Sequence, residues 1–172
     1  LLDSTIVVPE NCTLKFVGGG FKNGTLQGNS TKIESPLVEI FENVNFTGTY
    51  VTPEIYPEWF GAKGYPVKRS TSSYWWDLGD VATNGLESGI DSTIAISNAI
   101  DLAYLSQSKA VLSNGTYKIT DSLDVPQSTT LHIERSSGVR YYGDNGAGNV
   151  IVTADKHENT TTSNTFDSPQ IA

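Results

Sequence analysis

The side chains that could do chemistry here are few and scattered. Asp77 with Asp80 is a pair of carboxylates close in sequence, and Arg140, Tyr141, Tyr142 and Asp144 place a cation beside two phenols and a carboxylate. Acid/base cleavage of a glycan needs two carboxylates on one surface, or a base beside a group that neutralises charge. Neither set forms a motif, and Asp in Gly-rich segments commonly shapes turns. The sequence therefore singles out no catalytic residue. Tyr74, Trp75 and Trp76 form a second set. Their ring faces suit sugar stacking, an anchor against another subunit, or core packing. Arg140, Tyr141 and Tyr142 join them as carbohydrate or interface contacts.

Metal and cofactor chemistry find no support. His132 and His157 are far apart, and His132 alternates with Leu131 and Ile133, which points it to solvent from a strand. Cys12 is the single cysteine, so an intrachain disulfide and a thiolate metal site are both excluded. It reads as a structural thiol at the start of a strand, with no His or Lys beside it for activation. No cofactor is expected.

The elements that must position these groups are short. Thr5-Ile6-Val7-Val8, Thr13-Leu14-Lys15-Phe16-Val17, Gly24-Thr25-Leu26-Gln27, Thr31-Lys32-Ile33, Val38-Glu39-Ile40-Phe41 and Val44-Asn45-Phe46 each alternate apolar and polar residues, and Gly, Pro or Asn interrupts them. Runs of about three to five residues bury too little alone and must stack on neighbours. This quasi-repetition predicts a β-solenoid, with an antiparallel type I′ hairpin at Asn23-Gly24 as the local alternative. Six Asn-x-Ser/Thr triplets, at Asn11, Asn23, Asn29, Asn45, Asn114 and Asn159, read as turn and solvent-facing positions or, in a eukaryotic secretory protein, as glycan acceptors.

Three regions follow. Residues 1–50 form the short-strand segment. Residues 51–90, with Pro53, Pro57, Pro66 and a crowd of aromatics, form a connector with an insertion. Residues 91–172 hold a helix and resumed strands, truncated at the end. Asp91 is a natural N-cap, and Ile96, Ala99, Ile100 and Ala103 recur at helical spacing, so a helix over about 91–105 is expected with Ser97, Asn98 and Asp101 wet. Trp59 is expected to pack beneath it as core. Ala110-Val111-Leu112, Thr116-Tyr117-Lys118-Ile119, Ser122-Leu123-Asp124-Val125, Thr130-Leu131-His132-Ile133 and Val150-Ile151-Val152 read as further strands.

Tyr56-Pro57-Glu58-Trp59-Phe60-Gly61-Ala62-Lys63-Gly64, then Asp91-Ser92-Thr93-Ile94-Ala95-Ile96, then the turn Asn114-Gly115-Thr116-Tyr117, in that order, resemble the opening of pectate-lyase-like proteins, among them phage tailspikes and gut-bacterial polysaccharide-degrading proteins. Thr13-Leu14-Lys15-Phe16, Gly18-Gly19-Gly20 and Asn23-Gly24-Thr25 resemble the segment that precedes that module. The chain departs from the pattern at Gly64-Tyr65-Pro66, where an insertion of roughly 20 residues separates the strand from the helix cap. The resemblance covers most of the chain and implies an all-β fold, a right-handed parallel β-helix with one capping α-helix at about 91–105. It says little about the reaction, because that fold carries lyases, hydrolases, epimerases and inert fibres.

Nineteen acidic residues against eleven basic give a formal charge of −8. Phosphate binding needs clustered Lys and Arg, so nucleic acid is not an expected partner. Acidic polysaccharides are repelled at long range, which favours neutral glycans or a local basic site. No run approaches the roughly 18 apolar residues of a membrane span, and membrane insertion is not expected. Without Met, and opening on Leu1-Leu2-Asp3, the chain reads as an internal or processed piece, and the resemblance implies that catalytic groups, if the parent has any, lie on later coils.

The expected function is a structural, host-glycan-engaging segment of a phage tail fibre or tailspike. Its location would be extracellular or on a virion, and its partners a polysaccharide or host-surface glycan and homotrimer mates or other virion subunits. The alternatives are an N-terminal fragment of a bacterial secreted polysaccharide lyase or glycoside hydrolase, and a non-enzymatic surface adhesin.

Overall fold

A computed structural model describes residues 4–65, 89–113, 115–134, 137–143, 146–148 and 152–154. It is mostly strand with one helix. The first four strands are β1 (Thr5–Val7), β2 (Thr13–Lys15), β3 (Phe21–Glu34) and β4 (Phe41–Tyr50). They form one sheet in which every pairing is parallel: β3 carries β1 and β2 along one edge and β4 along the other. Thr5 pairs with Thr25 and Thr25 with Asn45, so each row repeats after twenty residues.

That spacing puts like positions on one another. Ile6, Leu26 and Phe46 share a column facing the core, and Leu14 stands beside Ile33. The rings of Phe21 and Phe41 stack with centroids 6.5 Å apart, while Phe16, Phe46 and Phe60 surround Phe41. Corners repeat as well. Asn23 and Asn43 both hold φ near +55°, a region Asn enters more easily than most residues, and Asn43 Nδ2 donates to Asn23 Oδ1 at 3.4 Å. Gly48 lies over Gly28 so closely that a Cβ there would sit 2.1 Å from the Gly28 carbonyl oxygen.

The connector is partly ordered into elements. β5 (Glu54–Ile55) pairs parallel with β7 (Lys109–Leu112), joined by the Lys109–Glu54 ion pair at 2.9 Å. Between them comes the 3₁₀ turn η1 (Pro57–Phe60), opened by Pro57 and closed by Gly61 in the left-handed region. Trp59 is buried there, its Nε1 donating to the Pro36 carbonyl at 3.1 Å, and α1 (Thr93–Leu105) packs on η1, as expected. Glu58 is only 5% exposed and accepts a hydrogen bond from the Tyr117 hydroxyl.

Beyond the helix, β10 (Thr130–Ile133) completes a three-stranded sheet with β7 and β5. β6 (Gly64–Tyr65), β8 (Thr116–Ile119), β11 (Gly138–Gly143) and β12 (Gly146–Gly148) form a four-stranded sheet, and β9 (Leu123–Val125) pairs with β13 (Val152–Ala154).

The expected right-handed parallel β-helix with a helix capping one end is therefore corrected. The strands divide among four separate sheets, and two pairings, β6 with β8 and β11 with β12, run antiparallel. Nor are the strands uniformly short. The runs at 24–27 and 31–33 fuse into the 14-residue β3, because a register shift between Gly28 and Thr31, with Ser30 at φ 51°, turns the chain without ending its pairing to β4. The Asn23-Gly24 hairpin is replaced by parallel pairing of Gly24 with Val44. The helix touches β4, β5 and η1 from the chain before it and β7, β9 and β10 from the chain after it, and those two parts also pair directly, β5 with β7 and β6 with β8. Alternation of apolar and polar residues sets where strands form. Which strands find one another depends on contacts that are distant in sequence.

Asp91, Ser92 and Thr93 fasten the helix start to two segments, at Lys63 and at 118–120. Asp91 Oδ1 accepts from Thr93 N at 3.0 Å and from Thr93 Oγ1 at 2.6 Å, and Asp91 Oδ2 accepts from Thr120 Oγ1 at 2.5 Å. Ser92 Oγ accepts from Lys63 N at 3.2 Å, and Ser92 N donates to the Lys118 carbonyl. Burial opposes ionisation of Asp91, but the hydrogen bonds from Thr120 and Thr93, with Lys118 nearby, outweigh it and hold its carboxyl below the ordinary aspartate range.

Two outcomes follow. Ile100 is fully buried on α1 and Ile94 is 76% exposed on the same helix. Ile100→Ala should lower the unfolding free energy by about 2–5 kcal/mol in a urea titration, whereas Ile94→Ala stays within about 0.5 kcal/mol. A depressed aspartate pKa contributes stability that is present above the unfolded value near 3.9 and lost as pH falls through the folded value. Asp91→Asn should therefore narrow its stability deficit relative to wild type as pH drops below about 4, measured by denaturant midpoints across pH. A deficit constant from pH 7 to pH 2.5 would remove this assignment.

Candidate functional site

Three segments that end beside one another enclose an open cleft of about 1300 Å³. The end of β4 supplies Thr49, Tyr50 and the following Val51. The outer face and last turn of α1 supply Asp101, Tyr104 and Gln107, and the turn after β9 supplies Pro126, Gln127 and Ser128. Small-molecule sites commonly enclose roughly 300–1,000 Å³. The cleft has room for an oligomer.

Each wall is set by local chemistry. Tyr50 is buried, and its hydroxyl donates to the Leu26 carbonyl at 2.7 Å. Burial pushes its pKa up to about 12, so it stays a neutral donor and a fixed wall. Thr49 Oγ1 accepts from Ser30 N at 2.9 Å. Asp101 and Tyr104 are three residues apart and so neighbours on the helix face opposite the buried stripe. Tyr104 is 53% exposed. Desolvation by the surrounding walls pushes the Asp101 carboxyl above its ordinary value.

The helix ends in a Schellman motif: Ser108 N donates to the Ala103 carbonyl at 2.9 Å and Gln107 N to the Tyr104 carbonyl at 3.1 Å. Gln107 occupies the left-handed position with φ 48°, where glycine is the usual residue. The turn at 126–129 is closed by Thr129 N donating to the Pro126 carbonyl at 3.1 Å, with Ser128 at φ 71°. Among the described residues six non-glycine residues have positive φ. Three are Asn, and the other three are Ser30, Gln107 and Ser128. Gln107 and Ser128 line the cleft, and Ser30 is bonded to Thr49, which also lines it. The buried hydroxyl oxygens of Ser106, Ser108 and Thr129 have no hydrogen-bond partner within the fold, and all three lie in or beside the same two turns. Two strained positions, Gln107 and Ser128, and the unsatisfied hydroxyl of Ser106 thus lie in the lining, with Ser108 and Thr129 next to it in sequence, while Glu58 Oε2 is unsatisfied away from the cleft.

The residues singled out in the sequence are placed differently. Tyr74, Trp75, Trp76, Asp77, Asp80, Asp144 and His157 lie outside the described residues. The backbone of Arg140, Tyr141 and Tyr142 runs in β11, where Arg140 pairs with Lys118 and Tyr141 with Ile119, while their side chains lie outside what is described. His132 is exposed on β10, as its alternation implied. Cys12 is half-buried against the core rather than enclosed. Asn11 and Asn23 stand at left-handed turn positions. Among the described residues no group of three or more His, Cys, Asp or Glu is placed to hold a metal ion, and no helix is long and apolar enough to cross a membrane.

Sequence reasoning marked Asp101 only as a wet position on the helix and passed over Tyr104, Gln107, Gln127 and Ser128. The i, i+3 spacing of Asp101 and Tyr104 was legible. Their meeting with Thr49 and Gln127 was not. Comparison with family models, with curated proteins and with solved structures finds no match for this chain.

Replacing Gln107 by Gly should relieve the left-handed backbone and raise the unfolding free energy by up to about 1 kcal/mol, the αL penalty less the extra chain entropy of glycine. Denaturant titration checks this. A loss of stability would mean that the Gln107 side chain supports the fold rather than the cleft.

Proposed function

We propose that this chain is a structural, glycan-engaging segment of an extracellular or virion-borne surface protein, binding an oligosaccharide in the cleft between β4, the end of α1 and the 126–129 turn. The observation that carries the reading is the presence in the cleft of two left-handed residues that are neither Gly nor Asn, Gln107 and Ser128. Gln107 and Ser128 hold costly backbone conformations that glycine would adopt freely, and both present polar side chains to the depression. Retaining a side chain at such a position makes sense where the side chain has work outside the fold.

The lining suits a sugar. The half-exposed ring of Tyr104 offers a face for a pyranose, and the amides of Gln107 and Gln127 with the hydroxyls of Thr49 and Ser128 offer donors and acceptors to sugar hydroxyls. Among the described residues a single carboxylate, that of Asp101, lines the cleft, whereas glycoside hydrolysis usually employs two. Binding rather than cleavage is the activity proposed. The resemblance of 56–64, 91–96 and 114–117 to polysaccharide-engaging proteins agrees with this reading and supplies the surface-exposed setting.

Saturation-transfer NMR against a panel of hexose and hexosamine oligomers should show contact with the protein. Tyr104→Ala should weaken it about tenfold or more, on the scale of losing an aromatic platform at the centre of a contact, with the circular dichroism spectrum unchanged because the ring lies outside the core. Equal binding by wild type and Tyr104→Ala would rule out the cleft as the site.

A further inference from the structure

We propose that the cleft selects an amine-bearing oligosaccharide, a hexosamine chain with free amino groups, and rejects uronate chains. This rests on the glycan reading above and adds the charge class of the ligand.

Among the described residues, the lining includes one ionisable carboxylate, Asp101, and no Lys, Arg or His. Lys109, close by in sequence, is committed to Glu54 at 2.9 Å. A carboxylated sugar entering the cleft would meet Asp101 with no cation to compensate, in a protein whose formal charge is −8. An ammonium meets the opposite situation. Asp101 and Tyr104 stand three residues apart on one helical face, so a cation placed between them can pair with the carboxylate and lie against the face of the phenol ring. The remaining polar lining, from Thr49, Gln107, Gln127 and Ser128, is uncharged and serves hydroxyl groups without preference for either charge. Desolvation disfavours the Asp101 anion in the free protein, and an ammonium partner reverses that disadvantage by favouring the charged form.

The test uses three hexamers of equal length in calorimetric titrations at 0.15 M salt: β-1,4-linked glucosamine, its N-acetylated counterpart, and oligogalacturonate. The free-amine hexamer should bind about tenfold more tightly than the acetylated one, and the uronate more weakly than either. Asp101→Asn should abolish the preference for the amine while leaving the acetylated hexamer bound with affinity near wild type. Glu39→Gln removes an equal charge from a residue lying against Gly61, outside the cleft, and should leave the preference intact. A preference that survives Asp101→Asn, or that Glu39→Gln removes equally well, would mean diffuse attraction to an acidic protein and would overturn the proposal. Uronate binding as tight as that of the amine would do the same while sparing the glycan reading. Binding of none of the three hexamers to the wild-type chain would overturn both.

Discussion

The buried face of α1 is the contact on which the rest of the structure depends. Ile96, Ala99, Ile100, Leu102 and Ala103 are all removed from water. They are covered by β4, β5 and η1 from the chain before the helix and by β7, β9 and β10 from the chain after it. β7, β8, β9 and β10 are only three or four residues long, and such strands bury too little alone to enclose a core. A shared helix solves this by giving both halves one apolar surface, and the hydrophobic term that stabilises each half also holds them together. The end of β4, the end of α1 and the 126–129 turn come together beside this core, and the cleft lies where they meet.

Parallel pairing imposes a second constraint. When rows repeat every twenty residues, a side chain is positioned by the residue twenty before it as much as by its immediate neighbours. Columns of like character then reinforce one another: apolar Ile6, Leu26 and Phe46 inward, Asn23 and Asn43 at the corner, Lys22 and Glu42 outward as an ion pair at 2.5 Å. The exposed ion pair contributes at most about 1 kcal/mol. The columns contribute more through burial, and they leave Gly28 and Gly48 no space for a side chain.

Polar groups inside the molecule separate into two kinds. Glu58 Oε1 with Tyr117, and Asp91 with Thr93 and Thr120, are paired within the fold, while Glu58 Oε2 is buried without a partner. The hydroxyls of Ser106, Ser108 and Thr129 are buried without such partners, beside backbone held in unfavourable conformations at Gln107 and Ser128. A fold selected for stability alone would place Gly at those two turns and small apolar residues under them. That contrast separates the cleft from the rest of the surface.

Much of this was legible in the amino-acid order alone. Alternation at Thr5-Ile6-Val7, Thr13-Leu14-Lys15 and Thr116-Tyr117-Lys118-Ile119 placed strands where they occur, and the spacing of Ile96, Ala99, Ile100 and Ala103 placed the helix and its buried face, because both signals are local and follow from the period of each element. Trp59 as core followed from its place beside the Pro57 turn. The partition into four sheets, the antiparallel partners of β8 and β11, and the fusion of two short runs into β3 were decided by tertiary contacts, since a strand's pattern states which face is apolar but not which edge it will meet. The cleft belongs wholly to that second class. Thr49, Tyr104 and Gln127 carry no shared motif, and only tertiary contacts, strand pairing and packing on the helix together, bring them to one cleft.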